Sequence, residues 1–161
     1  MNPISPKEHP PTPTEFSKIT DSLYVGTNMC CGTHGEKLME LGATADLDLE
    51  EDRQELPPHV SAYLWLPVPD HAAPTQEQLA LGAAFIDAVA RQSGRAYVHC
   101  REGRGRGPTM AAAYFITRGM TTDEAIARVQ QGRPEAHPEP VQVEALRAFE
   151  QSVRQKVDTS S

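Results

Sequence analysis

Apolar and polar positions alternate along this chain with two different periods, and the changes of period mark out its elements. Residues 1–15 carry Pro3, Pro6, Pro10, Pro11 and Pro13 among polar side chains. Such a segment holds neither a helix nor a central strand, and it is expected to be a flexible proline-rich tail. Folding should begin near Phe16. Ile19 to Val25 reads as a short extended pair around Thr20, Asp21 and Ser22, with Leu23 and Val25 on one face and Tyr24 on the other, ended by Gly26. Glu36 to Leu41 follows as a short helix closed by Gly42, and Ala43 to Leu49 alternates apolar and acidic like a half-buried strand. Acidic residues at 50–55 and the pair Pro57 and Pro58 make the next loop. Ala62 to Val68 is apolar and bulky, the pattern of a strand covered on both faces. Pro67 and Pro69 stop it and leave Asp70 in a loop just past a strand end.

The second half is more helical. Pro74, Thr75 and Gln78 form a capping-box start, after which Leu79, Ala83, Ile86 and Ala90 recur on one face until Gly94. Ala96 to His99 is a very short apolar run after a turn and reads as a central strand with Cys100 at its C-terminal end. Pro108 suits the first turn of a helix, which Thr109 to Arg118 continues up to Gly119. Thr121 with Glu124 opens a helix to about Gln131, before Gly132 and Pro134. A last helix starts near Pro138, packs through Val143, Leu146, Phe149 and Val153, and leaves residues 157–161 as a frayed tail. Strands that alternate with helices imply one α/β domain over residues 16–156, with a mostly parallel central sheet of about four to five strands flanked by helices. Ligands bind such sheets beyond the carboxyl ends of strands, where both Asp70 and Cys100 fall.

Charge and cysteine usage narrow the function. A formal net charge of −7 disfavours sequence-independent binding of nucleic acid. No apolar run is long enough for stable membrane insertion, and the N-terminus has no secretory pattern, so the expected location is the cytoplasm. The three cysteines are an odd number, and Cys30 and Cys31 are adjacent, which fits a reducing compartment better than a disulfide framework. Against this acidic background, Cys100 to Arg106 gathers Arg101, Arg104 and Arg106 around one carboxylate, Glu102. Taken alone, such a basic loop is equally compatible with a solvated surface turn.

Its setting carries more information. Gly103 and Gly105 let the backbone curl and aim successive N–H groups at one point, an anion nest at the N-terminus of the following helix. The same groups favour Cys100 as a thiolate, the reactive form. Arg106 is placed to grip two phosphate oxygens with its planar fork, which lysine does not reproduce. A departing oxygen needs a proton, and Asp70, thirty residues upstream of Cys100, is the best-placed donor. Asp46, Asp48 and Glu102 are its rivals, the first two within a predicted strand and the third inside the nest. An isolated buried cysteine is usually inert packing, but here nest, arginine and strand-to-helix setting coincide.

The motif His99-Cys100-x5-Arg106 resembles the signature of the protein tyrosine phosphatase superfamily, and the chain resembles its small dual-specificity branch from about Ile19 to Phe149. Ile19 to Gly26 looks like the opening strands of that branch, Leu66 to Pro74 like its general-acid loop, and Gly132, Arg133 and Pro134 like the turn between its late helices. The resemblance implies a cysteine-phosphatase fold and a two-step mechanism without metal or cofactor. Cys100 attacks phosphorus to form a phosphocysteine, while Asp70 protonates the leaving oxygen and then activates water. Arg106 and the loop residues Arg101, Glu102, Gly103, Arg104 and Gly105 hold the phosphate, and His99 helps hold the thiolate. Substrates are expected to be phosphotyrosine, phosphoserine or phosphothreonine in a shallow cleft, acted on by a monomer.

Two features complicate the resemblance. Most members carry serine or threonine directly after the arginine to support the second step, whereas this chain has Gly107 and then Pro108, similar to the alanine and proline of the regenerating-liver phosphatases. Slow release of the phosphoenzyme is the implied consequence, unless Thr109 turns inward to compensate. Arg101 and Arg104 are similar to the basic loops of lipid-directed members, an analogy that Glu102 weakens. A phospholipid phosphatase and a phosphate-binding or partner-binding module with weak catalysis therefore stand as alternatives. Rhodanese-like sulfur transfer also uses a cysteine in an anion loop, but Asp70 and Arg106 argue against it. Cys30 and Cys31 read either as resolving thiols or as two small residues near a helix start, and with His34 they give too few ligands for zinc. His59, His71 and His137 read as loop residues.

Overall fold

The computed structural model describes residues 16–28, 32–52 and 60–160. The proline-rich segment 1–15, Cys30, Cys31 and His59 lie outside the described residues. The elements follow in the order β1 (Phe16–Thr20), β2 (Leu23–Gly26), α1 (Gly32–Glu40), β3 (Ala45–Asp48), β4 (Ala62–Trp65), α2 (Gln76–Arg91), β5 (Ala96–His99), α3 (Arg106–Thr117), α4 (Thr122–Gly132) and α5 (Pro140–Thr159). The strands form one five-stranded sheet in the order β1-β2-β5-β3-β4, with β1 antiparallel to β2 and the other pairings parallel. This is the mostly parallel α/β sheet that the alternation of elements predicts.

Position in the sheet explains where the pattern misleads. The apolar and acidic alternation of β3 predicts one wet face, yet all four residues are buried, Asp46 and Asp48 completely. β3 lies between β5 and β4, and its acidic face is occupied by polar partners: His99 reaches Asp46, and the Tyr63 hydroxyl donates to Asp48 at 2.7 Å. A buried polar side chain is tolerated when it is bonded, and periodicity does not distinguish that case from a solvated one. β4 shows the converse error. Its bulky residues predict a strand covered on both faces, but it is an edge strand with every residue part-exposed. The chain stays attached to β3 beyond it through Leu66 N to Asp48 O and Val68 N to Leu49 O. Pro67, without an N–H, falls between these two bonds and interrupts neither, and Asp70 follows in the loop as expected.

Hydrophobic burial places the helices. Leu23, Val25, Leu47 and Val98 share a core with Leu79 and Ile86 of α2, Met110 to Ala113 of α3 and Leu146 and Phe149 of α5. Tyr24, Tyr97 and Leu38 make a smaller cluster that includes a residue of α1. α3 is buried from Arg106 to Ile116 and packs on α2, α4 and α5. It begins at Arg106 itself, with Pro108 in its first turn, where a missing N–H costs nothing. α1 starts before the predicted Glu36, and α5 runs past Lys156 to Thr159 with Val157 exposed, so its last turn adds length rather than core.

Both predicted capping boxes are present, Thr75 with Gln78 and Thr121 with Glu124. At the start of α4, Thr122 also donates from its N–H and its hydroxyl to Oε2 of Glu150, at 2.9 and 2.8 Å. These bonds hold the Glu150 carboxyl below its ordinary value. A depressed folded-state value contributes stability above the ordinary 4.5, and that contribution is lost as pH falls through the lowered value. Glu150→Gln keeps the shape but not the charge, and should cost about 1 kcal/mol near neutral pH. The penalty should fade in acid, which urea midpoints of the two proteins at neutral and acidic pH will check.

Candidate active site

The 100–106 loop leaves the C-terminal end of β5, between β2 and β3, and enters α3 directly. Gly103 has φ +66°, in the left-handed region. A Cβ there would lie 2.8 Å from the carbonyl carbon and oxygen of Gly26 and 2.9 Å from Nη2 of Arg133, so glycine is required for both conformation and space. Three successive carbonyls of the loop are tied to the connection between α4 and α5. Arg133 Nη2 donates to Glu102 O at 3.2 Å, Arg133 Nε to Gly103 O at 2.6 Å, and His137 N to Arg104 O at 2.7 Å. Carbonyls pinned outward turn peptide N–H groups the other way. One of them, from Gly103, donates to Cys100 Sγ at 3.2 Å, and the first turn of α3 adds the Gly107 N–H at 3.4 Å.

Cys100 is 3% exposed and lies on a cavity of about 370 Å³ that Arg106 and Asp70 also line. Arg106 is braced from behind: Nη1 donates to Val68 O at 2.8 Å and Leu49 O at 3.3 Å, and Nη2 lies 3.9 Å from Glu50 Oε1. The same Nη2 is 3.3 Å from Asp70 Oδ1, so the guanidinium links the nest to the loop after β4. Nucleophile and clamp candidates from the 100–106 loop and the acid candidate from the loop after β4 thus share one cavity. The rival acids do not share that geometry. Asp46 and Asp48 are fully buried on β3 with His99, and Glu102 is an exposed residue of the rim.

Arg101, Arg104 and Gly105 line the cavity, whereas Gly103 is buried beneath it and offers its N–H to the sulfur. His99 does not face the cavity. It is fully buried, with Nε2 2.9 Å from Asp46 Oδ1, Nδ1 3.9 Å from Asp48 Oδ1, and its ring stacked on Tyr97. Any effect on bound substrate must pass through the backbone to Cys100, because the side chain points into the sheet's polar network. Thr109 donates its hydroxyl to Gly105 O at 2.7 Å, so it braces the loop rather than the sulfur. A Cβ at Gly107 would stand 3.6 Å from Cys100 Sγ and 3.3 Å from Val25 Cγ1.

Glu50, Arg133, Gln142 and Glu139 belong to the site, and sequence reasoning does not assign them to it. Glu50 sits two residues past β3, at the carboxyl edge where the site forms, a placement that could have separated it from the acidic run behind it. Arg133 falls in a recognised turn, but only the fold shows it fully buried against the loop. Gln142 is 1% exposed, donates to Ala72 O at 3.0 Å, and abuts Gly105. Its only sequence signal is a helix-start position, N3 of α5. Among the described residues, no group of three or more His, Cys, Asp or Glu side chains is arranged to hold a metal ion.

The sequence and the fold that carry this cavity have known relatives. Residues 23–152 match the family model described as dual specificity phosphatase, catalytic domain. The chain belongs to the dual specificity phosphatase family and is a protein phosphatase of that class. It is 28% identical over 148 residues to human dual specificity phosphatase 28, covering 89% of this chain and 82% of that protein. A crystal structure of human DUSP28 superposes with TM-score 0.78 at 28% identity, covering 87% of this chain and 99% of that one. The phosphatidylglycerophosphate phosphatase PTPMT2 of Arabidopsis thaliana is 32% identical over 121 residues, 70% of this chain and 53% of that protein.

Proposed function

We propose that the chain hydrolyses phosphate monoesters of tyrosine, serine and threonine through a phosphocysteine, without a metal. The observation that carries this reading is the pair of backbone N–H groups on Cys100 Sγ in a cavity shared with Arg106 and Asp70. In the first step the Cys100 thiolate bonds to phosphorus, the bond to the leaving oxygen breaks, and Asp70 gives that oxygen its proton. In the second, Asp70 takes a proton from water, whose oxygen attacks phosphorus and returns the electron pair to sulfur. Arg106 and the N–H groups of residues 101–105 carry the charge of both transition states. The same reading has the protein act as a monomer in the cytoplasm, supported by its cysteine usage; among the described residues no helix is long and apolar enough to cross a membrane.

Hydrolysis of an aryl phosphate in the presence of chelator tests the reading. The intact protein should turn over, and Asp70→Ala should lose about 10²-fold or more on a poor leaving group, with much less loss on a good one. A loss independent of leaving group would remove Asp70 from its role.

Gly107 bears on the second step. No hydroxyl stands beside the sulfur at that position, and Thr109 spends its own on Gly105. The phosphoenzyme is therefore expected to accumulate, giving a burst of phenol before slow turnover. Gly107→Ser brings a Cβ to 3.6 Å from Sγ, tight against Val25, and should raise the steady rate by about tenfold at some cost in stability. Rapid-quench kinetics would show the burst; its absence, with steady turnover intact, would mean the second step is not limiting. Binding without burst or turnover would favour a phosphate-binding module.

A phospholipid substrate is a second reading, supported by Arg101 and Arg104 on the cavity and by the relative named as a phosphatidylglycerophosphate phosphatase. Glu102, Glu135 and Glu139 on the same rim weigh against a polyanionic headgroup. Rates on phosphopeptides against rates on phospholipid vesicles separate the two.

A further inference from the structure

Asp70 is half exposed, in a loop that must nevertheless deliver a proton with sub-ångström placement. What holds that loop is on its other side. Pro69, Asp70, His71 and Ala72 form a turn closed by Ala72 N to Pro69 O at 3.0 Å, and His71, at its third position, has φ +64°. A positive φ there is the mark of a type II turn, whose third position glycine normally fills. A histidine in that conformation costs about 1 kcal/mol or more, and such strain persists only where surrounding contacts impose it.

The residues around the turn supply those contacts. His71 Nδ1 lies 2.5 Å from Glu139 Oε1, and His71 Nε2 lies 3.7 Å from Asp70 Oδ2. The His71 N–H donates to Asp70 Oδ1 at 3.1 Å. Glu139 is the N-cap of α5, and its own N–H is held by Gln142 Oε1 at 2.8 Å. The other end of that buried amide donates to Ala72 O at 3.0 Å. The turn and the start of α5 are thus stitched together twice, once through a buried amide and once through the His71–Glu139 pair at the cavity rim.

We propose that His71 and Glu139 form a clasp that positions Asp70 over the cavity, making both of them positioning residues of the reaction. The proposal rests on the reading of Asp70 as general acid. Charge supports the geometry. The groups facing His71 are Glu139 from α5, Asp70 from its own turn and Arg106 from α3. The bond to Glu139 raises the imidazole above its ordinary 6.5, helped by the charges of Asp70 and Glu139 and opposed by burial and by Arg106. The charge-assisted form of the clasp is complete below that ordinary value and weakens as pH rises through the raised one.

The test compares the intact chain with Asp70→Ala, His71→Gly, His71→Asn and Glu139→Ala across a series of aryl phosphates of increasing phenol pKa. His71→Gly suits the left-handed backbone, so its effect reports the lost imidazole rather than strain. His71→Gly and Glu139→Ala should each lower kcat/KM by about tenfold on phenyl phosphate and by less than about threefold on nitrophenyl phosphate. The double variant should lose no more than either alone, because one contact is removed twice. His71→Asn, which also tolerates the backbone and keeps a donor, should recover part of the loss. The gap between the intact chain and His71→Gly should narrow at high pH. A loss equal on every substrate, or additive losses, or no loss, overturns the clasp when Asp70→Ala itself shows the leaving-group dependence. If Asp70→Ala shows none, the general-acid reading falls and the clasp falls with it.

Discussion

Cys100→Ser is expected to abolish turnover, lowering kcat on an aryl phosphate by about 10⁴-fold or more while leaving oxyanion binding largely intact. The sulfur sits where two peptide N–H groups meet, at the N-terminus of a helix. A serine hydroxyl in the same place stays protonated near neutral pH and is a poor nucleophile. The carbonyls of the nest are pinned by Arg133 and His137, which the substitution does not touch, and a serine oxygen can accept from the Gly103 N–H in place of the sulfur. Steady-state kinetics together with calorimetric titration of inorganic phosphate or tungstate would therefore separate chemistry from binding. Retained turnover would rule out Cys100 as nucleophile; loss of both binding and turnover would point to collapse of the loop.

Arg106→Lys should be the next most damaging change, with a loss in kcat/KM of about 10³-fold. The fork of Arg106 does two things together. One side holds the backbone carbonyls of Leu49 and Val68, which fixes the loops after β3 and β4, and the other faces Asp70 and the cavity. A lysine ammonium is a point charge that reaches one of these groupings at a time. The substitution should therefore also lower stability, by about 1–3 kcal/mol, since buried carbonyls lose a donor. Parallel measurements of kcat/KM and of the urea midpoint distinguish this double role from a purely catalytic one, in which the midpoint would not move.

The parts of this site that could be read from the chain are the contiguous ones. β5, the glycine loop and α3 succeed one another within about twenty residues, so nest, thiol and arginine announce themselves together. The starts of α2 and α4 are similarly legible, because a capping box is a contact between residues three apart. What the pattern hides depends on pairing across the sheet or between distant loops. Asp46 and Asp48 look like solvated residues until β5 brings His99 against them, and β4 looks central until its place at the edge is known. Arg133 and Gln142 are polar residues of ordinary appearance whose burial follows from the 100–106 loop and the Asp70 turn folding against them. Periodicity says which side of an element is apolar; it does not say that a polar residue will be enclosed by a partner thirty or more positions away.

The burial of α3 along nearly all its length sets the local stability of the nest. A helix packed on α2, α4 and α5 has no route to local unfolding, so its amides should exchange with deuterium only when the whole domain opens. The cradle that begins on its first turn shares that protection. On the proposed mechanism, donors held by that packing would keep their places through each turnover, the preorganisation that stabilising transition-state charge requires.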